Sequence, residues 1–566
     1  MKRRAIALTI ILLLILITAT QSMSIDFGLA NFMPETPPPG IRINSDGTVE
    51  GTNALRRVAN VYSFTRDISD TIVVLCDGIV LDGAGYTLQG NGESTGVFLQ
   101  DRSSITIENL KITNFHWGIK SVNGLYSPSN PGSIVISENT ITQNDYGLML
   151  ASSTRCRVCD NNITNNTMGA SMFSNNVFRN NRFENNKYAL DNYIGNNDFD
   201  SSNTVNNKPI YYWINQHNRI VPSNAGLVVL MDCSGISVEN LTLKNNGNGL
   251  YLSGTTNSMI IGNTLKNNKD GLTLTRCSNN TISGNWISNN NNYGIAGSHS
   301  PNNEISKNRI RLNAKGGITL DNSINNTITE NKIDENGGNG VFLTDIKDSN
   351  IINNQIKLNT GCGIGFGYGP KGNVKGNIVS KNDVGIWMSN AFENAVAFNN
   401  VTQNRGWAVY LEGSQKNNTI HHNNFINNYD TEGCQVFIKM LWVYPGLNYK
   451  GPPSEAPPPE LVAGAGNFWD NGVEGNYWSD YNGVDIDADG RGDTEYSINE
   501  NNADKFPLIC PITTHSNQPT PTPNPYPTPE PAIEPDSFPT LMVIAPFASV
   551  ALVGVGLVIY LKKHGV

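Results

Sequence analysis

The chain has 566 residues, of which 15% are charged, and a formal net charge of −9. No basic stripe interrupts that acidic balance, which argues against nucleic acid as a partner. Eight cysteines are too scattered to read as a disulfide framework, and Asn, Ser and Thr supply most of the polar surface.

Lys2, Arg3 and Arg4 precede the apolar run Ala5–Ile17, and small residues follow near Ala19–Ser24, so residues 1–24 read as a secretory signal. Residues 25–95 begin without a repeat, with a Pro-rich stretch at Pro34–Pro39, and then show strand-like segments at Thr71–Leu75 and Ile79–Leu81. They form the N-terminal cap that an exposed solenoid end requires.

Residues 96–430 repeat. Asn240, Asn263, Asn285, Asn308, Asn331, Asn354, Asn377, Asn400 and Asn423 recur every 22–23 residues, and Gly249, Gly271, Gly294, Gly317, Gly340, Gly363 and Gly385 keep the same beat. After each glycine, apolar residues alternate strictly, as Leu272 and Leu274 do around Thr273; that is the period of a strand with one buried face. No stretch carries the 3.6-residue period of a helix. Three short strands and three turns make one coil, so the repeat predicts an all-β parallel β-helix of roughly 14 coils stacked about 4.8 Å apart. The Asn column shares parity with inward residues such as Ile287 and is expected to form a ladder of amides, each bonded to the next. The simpler role for these Asn is as turn formers that tolerate left-handed φ. Residues 203–224 depart from the beat and read as an aromatic insertion.

Stacking also aligns the outward residues of the first strand. Tyr251, Thr273, Ala296, Thr319, Phe342, Gly365, Trp387 and Tyr410 form one file, ending in an aromatic stripe of Phe342, Trp387 and Tyr410. Aromatic faces of this kind suit sugar rings, unless Trp442, Tyr444, Trp469 and Trp478 of the following segment cover them. Asp321, Asp345 and Glu412 flank the stripe and are the candidate catalytic carboxylates, because glycoside hydrolysis uses two carboxyls about 5–10 Å apart. Sequons begin at Asn162, Asn165, Asn240, Asn279, Asn325, Asn400 and Asn417.

Residues 431–515 break the repeat and read as a C-terminal cap. Within it, Asp485, Asp487, Asp489 and Asp493 alternate around Gly490, and Arg491 offers a backbone carbonyl, a spacing that suits Ca²⁺. The twelfth loop position is Tyr496, so the usual bidentate Glu is missing. Residues 516–539 form a Pro/Thr stalk, residues 540–561 an apolar span suited to a transmembrane helix, and residues 562–566 a cytoplasmic tail starting with Lys562 and Lys563.

Three segments carry a family resemblance: IVLDGAGYTLQG at 79–90, NTVNNKPIYYWINQ at 203–216, and GNYWSDYNGVDIDADGRGDTEYSI at 475–498 with DKFPL at 504–508. Together they resemble the NosD-type right-handed β-helix family, also described as carbohydrate-binding and sugar-hydrolase repeats. The resemblance implies a right-handed single-stranded parallel β-helix and raises copper as a ligand. Copper is not expected here, because His421 and His422, the adjacent histidines, would point to opposite faces of a strand. The expected role is that of an exported, membrane-anchored surface module for polysaccharide or another cell-envelope component. A polysaccharide hydrolase or lyase, and a copper-binding accessory protein, are the alternatives.

Overall fold

The computed structural model describes residues 36–122, 134–151, 155–172, 175–191, 195–428, 434–439, 441–443, 460–462 and 466–513. The signal sequence, Pro/Thr stalk, transmembrane span and cytoplasmic tail lie outside the described residues. Within those residues the regular elements are all β-strands, and no helix is long and apolar enough to cross a membrane.

The strands wind into a parallel β-solenoid with three sheets as faces. One coil runs through Asp270–Thr275 on the first face, Thr281–Ser283 on the second and Trp286–Ser288 on the third. Coils pair in register: Leu272 lies under Ile295, then Ile318, Val341, Ile364, Ile386 and Val409. These columns are fully buried, as are Ile282, Ile305, Ile328 and Ile351 on the second face. A strand with one buried face needs only alternate apolar residues, which is why so polar a sequence still fills a core.

Inward amides fill the corner between the second and third faces. Asn263, Asn285, Asn308, Asn331, Asn354, Asn377, Asn399, Asn423 and Asn476 pass Nδ2–H to the next Oδ1 at 2.9–3.0 Å. Each Oδ1 also accepts a backbone N–H, as Asn331 does from Asn308 at 2.9 Å. Two of the expected members are displaced. Asn240 is exposed at φ 54°, and the ladder slot beside it belongs to Leu241; Asn399, not Asn400, is the rung above Asn377. Asn240 holds the turn position that precedes a rung, and Asn400 opens the strand that follows one, because the coil from Asn377 to Asn399 has 22 residues rather than 23. At each corner one residue takes positive φ and the next turns its amide inward, as Asn353 (φ 56°) and Asn354 do. A second ladder, from Asn246 through Asn268, Asn290, Asn313 and Asn336 to Asn428, lines the corner between the third and first faces.

The solenoid is not one uninterrupted rod. Residues 203–224 form its seam. Val205 pairs antiparallel with Lys208, and Lys208–Ile214 then pairs parallel with Leu227–Met231. The first face of the second segment is thereby laid on the third face of the first segment, a rotation by one face. The seam sheet is a shared wall: Ile210, Tyr212, Leu227 and Val229 belong to the first core, and Val228 and Leu230 to the second. Beside it, Ala189 N–H donates to the Asn245 carbonyl at 3.0 Å and Gly247 N–H to that of Leu190 at 2.9 Å.

Trp469 and Trp478 plug the C-terminal end of the second core, with Trp478 packed on Phe425 at 4.6 Å. They therefore close the solenoid rather than cover the aromatic stripe; Trp442 and Tyr444 have no described side chains. The ladder itself ends on the Asp504 carboxylate, which accepts N–H from Asn476 at 2.7 Å, Trp478 Nε1 at 2.9 Å and Phe506 at 3.1 Å. Burial outweighs these donors and pushes the Asp504 carboxyl up to about 6.

Two outcomes follow for stability. Replacing Asn331 by Ala leaves the partners of a buried amide unpaired and is expected to cost about 2–5 kcal/mol, whereas Asn353→Gly, at the exposed positive-φ position of the next corner, is expected to change stability by less than about 0.5 kcal/mol in urea unfolding. Because the Asp504 pKa is raised on folding, its ionisation opposes the fold as pH climbs from about 4 to 6. The stability of Asp504→Asn relative to the parent should therefore rise by about 2.5 kcal/mol between pH 4 and pH 7; an unchanged difference would show that the carboxyl is not held in this environment.

Candidate functional site

The outward file is in register along the whole second segment: Tyr251, Thr273, Ala296, Thr319, Phe342, Gly365, Trp387 and Tyr410 pair in succession, and Phe437 continues it. Gly365 lets the two flanking rings approach. Phe342 and Trp387 stack across it at 5.5 Å and 18°, and a Cβ on Gly365 would stand 2.8 Å from the Phe342 ring and 2.7 Å from Cys362 Sγ. Tyr410 stacks on Phe437 at 5.4 Å, and Trp407 lies on Phe437 at 4.6 Å. The five rings are half-buried. Among the described residues, the indole N–H groups of Trp387 and Trp407 have no hydrogen-bond partner. Glu412 and Lys439 form an ion pair of 2.6 Å at the edge of the platform. Burial, reinforced by the nearby Glu412 charge, raises the Tyr410 phenol above its ordinary value.

Trp407, Phe437 and Lys439 were not visible as site residues in the sequence. Phe437 follows the break in the repeat after Asn428, and Trp407 occupies a corner rather than a strand.

The candidate carboxylates are engaged separately. Asp321 accepts the Thr344 hydroxyl at 2.7 Å and an Asn322 amide N–H at 2.9 Å, Asp345 accepts the Lys347 N–H at 2.9 Å, and Glu412 is held by Lys439.

In the acidic loop, one oxygen each from Asp485, Asp487 and Asp489 lie within 4.8 Å of one another. Asp485 accepts the N–H groups of Asp489 and Gly490, and Asp493 accepts that of Ile486 at 2.6 Å. Arg491 closes its guanidinium on Asp489, which holds that carboxyl below its ordinary range.

The histidines overturn the opposite-face expectation. His421 ends a strand, but His422 takes the positive-φ corner position (φ 55°), just before the ladder residue Asn423. Both rings therefore lie together, Nδ1 to Nδ1 at 2.6 Å, and His422 Nε2 meets Glu474 at 2.6 Å. Desolvation, with His422 and Lys375 nearby, lowers the His421 pKa. For copper the fit is poor. Metal–nitrogen bonds of about 2.0–2.1 Å at open angles would hold two ligand nitrogens further apart than 2.6 Å, and among the described residues no third His, Cys, Asp or Glu completes a cluster with the pair. The three side chains form a hydrogen-bond relay that ties the cap to the solenoid.

No cysteine is in a disulfide. Burial pushes the Cys156 and Cys362 thiols up to about 12 and Cys277 to about 11, as expected of inert core fillers.

Stacked coils, in-register columns and inward amides define a parallel β-solenoid. The model "Right handed beta helix region" matches residues 77–225 and 225–364, just over half of the chain, and "Periplasmic copper-binding protein (NosD)" matches residues 311–483. The chain belongs to the right-handed β-helix family and is a NosD-like β-helix repeat protein. No curated protein matches it. Similar solved structures include the periplasmic alginate epimerase AlgG, 11% identical over 68% of this chain and 80% of that one (TM-score 0.24). Others are the A-module of the mannuronan C-5 epimerase AlgE6 of Azotobacter vinelandii (13%, 65% and 77%, TM-score 0.20) and pectate lyase Pel9A (14%, 55% and 70%, TM-score 0.22). At these values the likeness says nothing of activity.

Proposed function

We propose that this protein is an exported, membrane-anchored surface module whose aromatic face holds polysaccharide or a related cell-envelope glycan. The observation that carries the reading is the half-buried platform of Phe342, Trp387, Tyr410, Trp407 and Phe437, flanked by the Glu412–Lys439 pair. Flat apolar faces accept the CH faces of pyranose rings, while a few polar groups at the edge orient the hydroxyls. Export and anchoring rest on residues 1–24 and 540–561 of the sequence.

The test is a glycan array and sedimentation with insoluble polysaccharides, using the full-length chain. Trp387→Ala should weaken binding at least about tenfold, equivalent to roughly 1.4 kcal/mol, and leave the thermal transition nearly unchanged. Retention of no glycan by the parent protein would sink the reading.

The acidic loop is proposed as a Ca²⁺ site formed by Asp485, Asp487, Asp489, Asp493 and the Arg491 carbonyl. Binding requires Asp489 to exchange its Arg491 partner for the ion. Millimolar Ca²⁺ should raise the melting temperature of the parent but not of Asp485→Asn/Asp487→Asn; equal shifts in both would place the ion elsewhere.

A further inference from the structure

The seam brings together two corners that are convex elsewhere on the solenoid. In each segment the corner between the third and first faces carries a column of positive-φ residues: Asn165 and Asn185 in the first, Asn245, Asn267 and Asn289 in the second. Rotation by one face sets the two columns side by side across a groove of about 640 Å³, with Lys187 as its one charged lining residue and the buried Tyr188 beneath it. The carboxamides of Asn165, Asn185, Asn245 and Asn267 form no hydrogen bond with other described residues. Behind Asn245 the inner ladder is broken: Asn246 is fully buried and its Oδ1 has no partner among the described residues.

The groove is also held rigid. Lys269, from the second segment, reaches Asp191 of the first at 2.6 Å, and the backbone bonds at Ala189 and Gly247 fix the adjacent edge. Next to Lys269, the half-buried Asp270 accepts the Tyr293 N–H and an Asn292 amide N–H. The backbone positions that carry the amides are thus held at fixed spacing.

We infer that this groove is a second glycan-binding site, for an uncharged oligosaccharide, distinct from the aromatic platform. A carboxamide offers a C=O acceptor and an NH₂ donor side by side. That pair matches two neighbouring hydroxyls of a sugar ring. Rows of such pairs about 4.8 Å apart suit a chain of linked rings. With one lysine at the rim and its other nearby lysine neutralised by Asp191, the groove offers little to a polyanion.

The experiment is saturation-transfer NMR on the full-length chain with maltohexaose, cellohexaose and tetragalacturonate as probes. The groove variant is Asn185→Gly/Asn267→Gly, which removes two carboxamides where φ is 53° and 56° and glycine costs nothing in conformation. At least one hexaose should bind, its affinity should fall at least tenfold in the groove variant, and it should persist in Trp387→Ala. Failure of the platform reading would appear as unchanged polysaccharide binding in Trp387→Ala and leaves this result intact. No hexaose binding, binding lost only in Trp387→Ala, or a preference for tetragalacturonate would overturn the inference.

Discussion

The structure depends on one arrangement, the inward amide at the coil corner. A chain that turns three times per coil must place a backbone corner against its own core, where an unpaired polar group costs about 1–3 kcal/mol. Asn solves this by bonding three ways: to the rung above, to the rung below and to a backbone carbonyl, as Asn331 does with Asn308, Asn354 and Ile305. Each rung completes the valence of its neighbour. The ladder is therefore satisfied only as a stack and must be ended by something that accepts without needing a further partner. Asp504 is that end: its carboxylate takes up the last donors and is itself desolvated for doing so.

Because the ladder fixes register, it also fixes what lies outside. Phe342, Trp387, Tyr410 and Phe437 come into one file because the strands that carry them pair in register from coil to coil. The same geometry explains the His421–His422 relay. A corner always spends one residue in positive φ, and here that residue is a histidine, so its ring swings beside its neighbour instead of across the sheet. The seam has a larger consequence. By shifting the solenoid one face around, it turns two rows of corner amides from separate ridges into the walls of a groove, and it closes the first core with a sheet that also walls the second.

Periodicity carried most of this into the sequence. The 22–23-residue beat and the alternation after each glycine gave the coil, the buried columns and the outward aromatic file. Where it misled, the cause was local. Asn240 shares the rung spacing because it is the positive-φ residue beside the slot of Leu241, and Asn400 because the coil from Asn377 to Asn399 is one residue shorter than its neighbours, so a count of spacings cannot separate Asn399 from Asn400. The seam was legible only as a departure, since nothing in residues 203–224 states which face the next coil will join. Phe437 and Trp407 were hidden by the break after Asn428, and the groove was hidden because its residues belong to coils far apart in sequence, each ordinary in its own repeat. The carboxylates Asp321 and Asp345 were readable as neighbours, but not the local hydrogen bonds that each makes.

The central claim is that like positions of successive coils stand directly over one another. It is tested most directly by a distance between spin labels introduced through non-natural amino acids at Leu312 and Gln403, two exposed positive-φ corner residues separated by four coils. Stacking in register predicts a narrow distribution near 19 Å between the labelled backbones, from about 4.8 Å per coil. A distribution centred beyond about 30 Å, or one without a defined maximum, would contradict it, since no set of stacked coils at the strand spacing reaches that far.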